Sequence, residues 1–179
     1  MLPALPLEDM HLRHRGLTPA VAANNAEAAT VCLSRHHTPP TTFTVENNAD
    51  TQQAQVEWVP PDGRTLGAWN NRIDATEMGA YACVIAGVEL ARGCFAVRRA
   101  ETIKGADYYV GPLGAGTEDL ENCYRLEISG VDAGADQDIR HRLRQKIDQA
   151  RRGDSNLPAV AGVVGFAARL IVFTDVEVS

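Results

Sequence analysis

The segment from residue 74 to residue 176 constrains the fold most, because helix patterns alternate there with strand patterns. A helix is predicted over residues 74–92, and Gly93 ends it. The later elements are three strands over residues 94–100, 106–110 and 123–131, an amphipathic helix over 136–152, and strands over 159–166 and 170–176. This order predicts an α/β fold with a central mixed sheet.

The first 72 residues are predicted to extend that core. Residues 1–17 show no clear period and are interpreted as an extended arm, docked on a partner. Thr18 is predicted to cap a helix that begins with Pro19 and ends near residue 35. Strands over 41–45 and 53–59, a turn over 46–50 and a short helical turn over 65–71 follow. The predicted division is an arm at 1–17, an α+β extension at 18–72 and a core at 73–179.

Charge limits the ways in which this chain can meet nucleic acid. The 179 residues carry a formal net charge of −6, so binding through bulk positive charge is disfavoured. Lys104 and Lys146 are the only lysines, since the other basic residues are arginines. Each lysine is therefore more informative than it would be in an average chain.

The sequence predicts a cytoplasmic protein. The N-terminus shows no basic region followed by an apolar core of the secretory type. The longest apolar stretch, residues 157–173, is interrupted by Pro158, Gly162, Gly165 and Arg169, which makes it a poor transmembrane helix.

The cysteines do not predict a zinc site or a disulfide. Cys32, Cys83, Cys94 and Cys123 are widely spaced and form no CxxC pair, so each is predicted to be a small buried apolar residue. Cys32 lies near a histidine pair at 36–37, but no second ligand pair accompanies them. The end of a helix is favoured there over zinc.

Alternation along residues 123–131 brings polar side chains to one face of a strand. Arg125, Glu127 and Ser129 share that face, while the residues between them are apolar or aromatic. If the preceding strand pairs with this one as a hairpin, Asp107 approaches Glu127. Two adjacent carboxylates repel each other unless they are neutralised, and a divalent metal such as Mg²⁺ does so with its preference for oxygen ligands.

Three short segments resemble the PD-(D/E)xK, or restriction-endonuclease-like, superfamily: residues 75–81 (ATEMGAY), 105–110 (GADYYV) and 124–130 (YRLEISG). The α-β-β-β-α-β core order of that superfamily matches the order predicted for residues 74–175. The resemblance implies that Glu77, Asp107 and Glu127 bind Mg²⁺ or Mn²⁺. It also implies that the metal promotes hydrolysis of phosphodiester bonds.

The sequence departs from the superfamily at one position. A lysine usually stands two residues after the last acid, where this chain has Ser129. A lysine there would stabilise the attacking water or the transition-state charge. Lys146, on the following helix, is predicted to replace it, and Lys104 is the spare candidate. The candidate catalytic residues are therefore Glu77, Asp107, Glu127, Ser129 and Lys146.

Each acid also has a purely structural interpretation. Asp74 and Glu77 have the spacing of a helix capping box. Asp107 could simply end a turn, and Glu127 could pair with Arg125 or with a helix arginine. These alternatives remain open at the level of sequence.

The sequence favours a metal-dependent nuclease, a hydrolase that meets nucleic acid together with a partner protein, for example in a prokaryotic defence system. The alternative is a non-catalytic interaction subunit that keeps the nuclease-like fold. An unrelated α/β binding domain becomes the better hypothesis if Asp107 and Glu127 prove to be distant.

Overall fold

Helices and strands alternate along most of the chain in the computed structural model, which describes residues 1–116 and 118–177. The strands are β1 (Thr41–Asn47), β2 (Asp50–Val56), β3 (Cys94–Arg99), β4 (Tyr108–Pro112), β5 (Tyr124–Val131), β6 (Ala159–Gly165) and β7 (Leu170–Val176). The α-helices are α1 (Pro19–His36), α2 (Gly63–Ala68), α3 (Arg72–Arg92) and α4 (Asp136–Arg151).

The strands form one mixed sheet in the order β2-β1-β7-β6-β5-β4-β3. The β1/β7 and β5/β6 pairs are parallel, and the other neighbouring pairs are antiparallel. Helix α4 connects β5 to β6, as parallel neighbours require a crossover. The β1–β2 hairpin joins the sheet through β7, so the predicted extension and the predicted core share one sheet.

Helices cover both faces of the sheet. On β6, Val160 and Val164 belong to the apolar cluster that includes α1 and α3, whereas Ala161 and Val163 belong to the cluster that includes α4. The period of two along the strand thus supplies an apolar surface to each layer. The α/β class with a mixed central sheet is confirmed.

Helix α3 begins earlier than the sequence predicts. The Asn71 side chain accepts a hydrogen bond from the main-chain nitrogen of Ile73 at 3.0 Å, which places the N-cap at residue 71. The predicted capping box of Asp74 and Glu77 is therefore wrong. Gly93 ends the helix with a φ of 61°, a left-handed conformation that glycine adopts without a steric cost.

The N-terminal arm packs against its own chain. Leu5 and Leu17 are buried, and Met10 lies in a short 3-10 helix (Met10–Leu12) with 1% exposure. His14 is fully buried, accepts a hydrogen bond from Ala96 N at its Nδ1 and donates from Nε2 to Glu89 Oε2 at 2.8 Å. The interpretation of residues 1–17 as an arm docked on a partner is thus replaced by docking within the molecule.

The element order α3-β3-β4-β5-α4-β6 is the predicted one, but several boundaries differ. The second strand begins at Asp50 rather than at 53, because Asn48 adopts a φ of 55° and allows a tighter turn, and it ends at Val56, which pairs with Thr41 at the start of β1. Strand β4 ends at Pro112 rather than at 110. Thr117 and the last two residues of the predicted core, 178–179, lie outside the described residues. Among the described helices, none is long and apolar enough to cross a membrane.

Candidate functional site

A notch in the sheet forms beside β5 because β4 is the shorter strand. Strand β4 pairs with β5 only from Tyr124 to Leu126, whereas β5 continues to Val131 with β6 along its other edge. A cavity of about 570 Å³ occupies this notch. Its walls come from α3 on one face of the sheet and α4 on the other.

All five predicted site residues line this cavity: Glu77 from α3, Asp107 from the residue before β4, Glu127 and Ser129 from β5, and Lys146 from α4. Glu127 is 2% exposed and is the most buried of the five, whereas Glu77 is exposed. The residues therefore come from four separate elements, and the fold brings them to one place.

Asp107 is held firmly at the edge of β5. Its Oδ2 accepts a hydrogen bond from the main-chain nitrogen of Ile128 at 2.7 Å, where a longer β4 would otherwise pair. Its Oδ1 accepts a hydrogen bond from the Tyr81 hydroxyl at 3.0 Å. Burial and the charge of Asp107 raise the pKa of Tyr81, so the phenol stays protonated and remains the donor. Asp107 thus closes the strand edge and faces the cavity at once.

Glu127 forms an ion pair with Lys146 inside the cavity. Lys146 Nζ lies 2.7 Å from Glu127 Oε1 and also donates to Gln149 Oε1 at 3.1 Å. Burial and the neighbouring charge of Asp107 raise the pKa of Glu127, and Lys146 opposes part of this rise. Two carboxylates and one ammonium group therefore meet at the base of the cavity.

The other charges proposed from the sequence lie elsewhere. Lys104 Nζ lies 4.0 Å from Asp154 Oδ2, so Lys146 is the lysine of the cavity. The Arg125 guanidinium donates to main-chain carbonyl oxygens of Lys104, Ala150 and Leu157. Pairing of Glu127 with Arg125 or with a helix arginine is therefore wrong, and the partner is a helix lysine.

The oxygen ligands of the cavity suit a hard divalent cation, but they are few. Among residues 1–116 and 118–177, no group of three or more His, Cys, Asp or Glu side chains is placed to hold one ion. A centre made by Glu77, Asp107 and Glu127 together is thus not evident. Mg²⁺ is commonly bound by one or two carboxylates, with water and substrate phosphate as the remaining ligands. The chemistry of Asp107 and Glu127 fits that pattern.

Several cavity residues were not predicted from the sequence. Arg142 lies four residues before Lys146 on α4, and Tyr81 lies four residues after Glu77 on α3. Residues at this spacing share a helix face, so the pattern could have identified both. Arg72 and Asp132 carry no comparable signal, because only the tertiary fold brings them to the rim.

The histidine pair after Cys32 has a structural role. His36 Nε2 donates to Asp132 Oδ1 at 3.0 Å, and His37 Nε2 donates to the main-chain oxygen of Phe166 at 2.8 Å. Both histidines therefore fasten the end of α1 to the sheet, as expected for a helix end.

Comparison with protein-family models, curated proteins and solved structures finds no match to this chain. The chemistry of the cavity is therefore inferred from its own side chains.

Proposed function

We propose that this chain is a divalent-metal-dependent nuclease that hydrolyses phosphodiester bonds in the cavity beside β5. One observation carries the proposal: Asp107, just before β4, and Glu127 on β5 line the same cavity, and a lysine from a third element reaches it, 2.7 Å from Glu127. An ion pair that served stability alone would not require a neighbouring second carboxylate or a cavity of this size.

Each cavity residue has a distinct proposed role. Asp107 and Glu127 would hold Mg²⁺ or Mn²⁺, and the exposed Glu77 would complete the ligand sphere through water. When bound, the metal neutralises phosphate charge and lowers the pKa of a coordinated water. The hydrogen bonds from Tyr81 and from the main chain of Ile128 fix Asp107 in place, so the site needs little reorganisation before the reaction.

Lys146 would supply the positive charge that the serine at position 129 lacks. Its side chain is 18% exposed and reaches the cavity, where the ammonium group would move from Glu127 to a phosphate oxygen when nucleic acid binds. There it would stabilise the negative charge that develops as the bond breaks. Ser129 lines the same cavity and would orient the attacking water through its hydroxyl.

The restriction-endonuclease-like assignment is part of this proposal. The order α3-β3-β4-β5-α4-β6 agrees with the α-β-β-β-α-β order of that superfamily, and the acids occur on the elements where the resemblance implies them. The net charge of −6 supports delivery of the nucleic acid by a partner protein, as a subunit of a prokaryotic defence system would require.

The second candidate is a non-catalytic interaction subunit that retains this fold. Two observations favour it: the described residues form no three-ligand group, and the Lys146 ammonium already neutralises Glu127. Such a subunit would not cleave nucleic acid in the presence of any divalent metal ion, and it would co-purify with another chain.

The deciding experiment incubates the purified chain with labelled single- and double-stranded DNA and RNA, in Mg²⁺, in Mn²⁺ and in EDTA. We expect metal-dependent cleavage that Glu127→Gln abolishes and that the matched control Glu121→Gln, on the exposed β4–β5 connection, retains. Equal cleavage by Glu127→Gln would reveal a contaminating nuclease. Absence of cleavage in every metal would favour the interaction subunit.

A further inference from the structure

A second pocket adjoins the first and shares the side chain of Tyr81 with it. Its volume is about 360 Å³, towards the lower end of the roughly 300–1,000 Å³ typical of small-molecule sites. Helices α1 and α3 and the strands β3 and β4 supply its walls. The residues that matter for its chemistry are Val21, Asn25, Met78, Tyr81, Arg99 and Tyr108.

One wall of this pocket is built from aromatic rings and a guanidinium group. The Arg99 guanidinium carbon lies 4.5 Å from the ring centre of Tyr81 and 4.9 Å from that of Tyr108. Tyr81 and Tyr108 are only 5% and 3% exposed, whereas the Arg99 side chain is 50% exposed, so the guanidinium plane is the surface that is open to a ligand. Aromatic rings and arginine planes are the surfaces on which unpaired nucleobases stack.

The opposite wall offers a hydrogen-bond donor that the protein does not use. Asn25 is 3% exposed, and its Oδ1 accepts a hydrogen bond from Asn24 Nδ2 at 3.4 Å. Within the described part of the chain, no group accepts a hydrogen bond from the Asn25 amide nitrogen. This nitrogen is not one of the fully buried atoms that lack a partner, so it stays open to solvent or to a ligand, and a carbonyl or ring nitrogen at the edge of a base would accept its hydrogen bond.

Charge also suits a nucleotide in this pocket. Arg99 is its one charged lining residue in the described chain, and the Arg99 guanidinium also lies 3.5 Å from Asp107 Oδ1 of the first cavity. The first cavity, by contrast, contains the acids that would bind a cation. The two pockets therefore divide the chemistry of a nucleotide, with a stacking surface in one and a metal and phosphate site in the other.

The link between the pockets is a single side chain. The Tyr81 hydroxyl donates to Asp107 Oδ1 in the first cavity, while its ring lies under Arg99 in the second. A base stacked in the second pocket would therefore have its phosphate near Asp107. From this geometry we infer that the second pocket binds one unpaired nucleobase next to the scissile phosphate, so that the substrate is single-stranded nucleic acid.

This inference rests on the proposed nuclease function, but it can be tested without cleavage. Isothermal titration calorimetry in Mg²⁺ compares adenosine 5′-monophosphate with ribose 5-phosphate, which carries the same sugar and phosphate without a base. We expect the nucleotide to bind about 10-fold more tightly, because its base would stack on the Arg99 guanidinium plane. Equal affinity, or no binding of either compound, would overturn the inference.

A variant that fills the second pocket tests whether the base binds there. Val21 is 40% exposed on α1, so Val21→Trp can occupy the pocket without disturbing the core. We expect this variant to bind the two compounds equally. Leu12→Trp, which adds the same side chain at a position 73% exposed and outside this pocket, should keep the preference for the nucleotide. A preference that survived in Val21→Trp would place the base elsewhere and overturn the inference.

A cleavage assay separates this inference from the proposed function. Single-stranded oligonucleotides with one abasic position are compared with the intact strand, and we expect the abasic position to suppress cleavage at the adjacent phosphate in the wild type but not in Val21→Trp. If the wild type cleaved abasic and intact strands equally, the base pocket would be overturned, but the proposed nuclease function would stand. Absence of all cleavage, with the nucleotide preference retained, would overturn the nuclease alone.

Discussion

Arg125 and Glu127 lie two residues apart on the same face of β5, and both are buried charges, yet their surroundings differ. Arg125 is fully buried, and its guanidinium donates to three main-chain carbonyl oxygens. Glu127 is 2% exposed, but its carboxylate faces a cavity and a lysine side chain. The Arg125 charge therefore connects two loops to the end of α4, whereas the Glu127 charge lies in a cavity that a ligand can enter.

The difference shows that burial alone does not identify a functional charge. Main-chain carbonyls cannot change their charge, so the bonds of Arg125 are permanent and hold the end of α4. The Lys146 ammonium group lies at the end of a flexible side chain from another element, and so Glu127 can exchange this partner for another. The identity of the partner therefore distinguishes a structural charge from a candidate catalytic one.

Among the variants that test this difference between Arg125 and Glu127, we expect the largest effect in Glu127→Gln, which should lose the proposed catalysis. We expect the kcat/KM for nucleic-acid cleavage to fall about 10³-fold, since a charged ligand in a desolvated site is removed. The free energy of unfolding should not fall, because glutamine keeps the shape and removes a buried charge. Urea denaturation and cleavage kinetics measure the two quantities, and a loss of stability in step with activity would break the comparison.

Arg125→Met should show the opposite pattern. It leaves carbonyl oxygens of Lys104, Ala150 and Leu157 without a charged donor, so we expect the free energy of unfolding to fall by about 3 kcal/mol. The denaturant midpoint reports this loss. Activity per folded molecule should remain, and its disappearance would assign Arg125 to the site.

Lys146→Met tests the role of the ammonium group that pairs with Glu127. We expect a fall of about 10²-fold in kcat, because the variant lacks the charge that would stabilise the transition state. Lys104→Met is the matched control, since the Lys104 ammonium lies by the exposed Asp154. Equal effects of the two substitutions on the cleavage rate would remove Lys146 from the mechanism.

Gly153→Ala tests the packing around the buried Arg125 guanidinium. A Cβ at residue 153 would overlap the Lys104 carbonyl oxygen and would lie 2.5 Å from Arg125 Nη1. We expect a thermal unfolding scan to show a loss of about 2 kcal/mol, as for overpacking elsewhere. Gly116→Ala, where a Cβ meets nothing within 4 Å, is the control and should leave the unfolding midpoint unchanged.

The smallest expected effect concerns pH. Because burial raises the native pKa of Glu127 above its ordinary value of 4.5, its contribution to stability is present below that value and is lost as the pH rises through the native pKa. Glu127→Gln should therefore gain stability relative to the wild type between pH 4 and pH 7. Arg125 stays protonated throughout, so the cost of Arg125→Met should be the same at both pH values. Urea titrations at the two pH values measure both differences, and an equal shift in the two variants would contradict the distinction.

Much of the candidate site could be predicted from local sequence. Alternation along β5 correctly assigned Arg125, Glu127 and Ser129 to one face, and the scarcity of lysine drew attention to Lys146. Helical periodicity then explains why Lys146 faces the strand on which Glu127 lies. The order of helices and strands was predictable for the same reason, since each element buries a face with its own period.

The role of Arg125 could not be predicted, because its partners are main-chain oxygens, which every residue possesses. The hydrogen bond between Tyr81 and Asp107 joins residues 26 positions apart and depends on how α3 lies on the sheet. The docking of the N-terminal arm likewise depends on buried partners such as His14 and Glu89, which are 75 positions apart. Contacts of this kind become visible only in the folded molecule.

The short β4 strand has one more consequence. Its turn back to β5 follows Pro112, at the end of these strands that lies away from Asp107 and the notch. Gly114 and Gly116, on this connection, have open space where a side chain would stand. A guest domain fused at this tip would lie away from the acids and the lysine, so a new targeting module could be added without altering the proposed site.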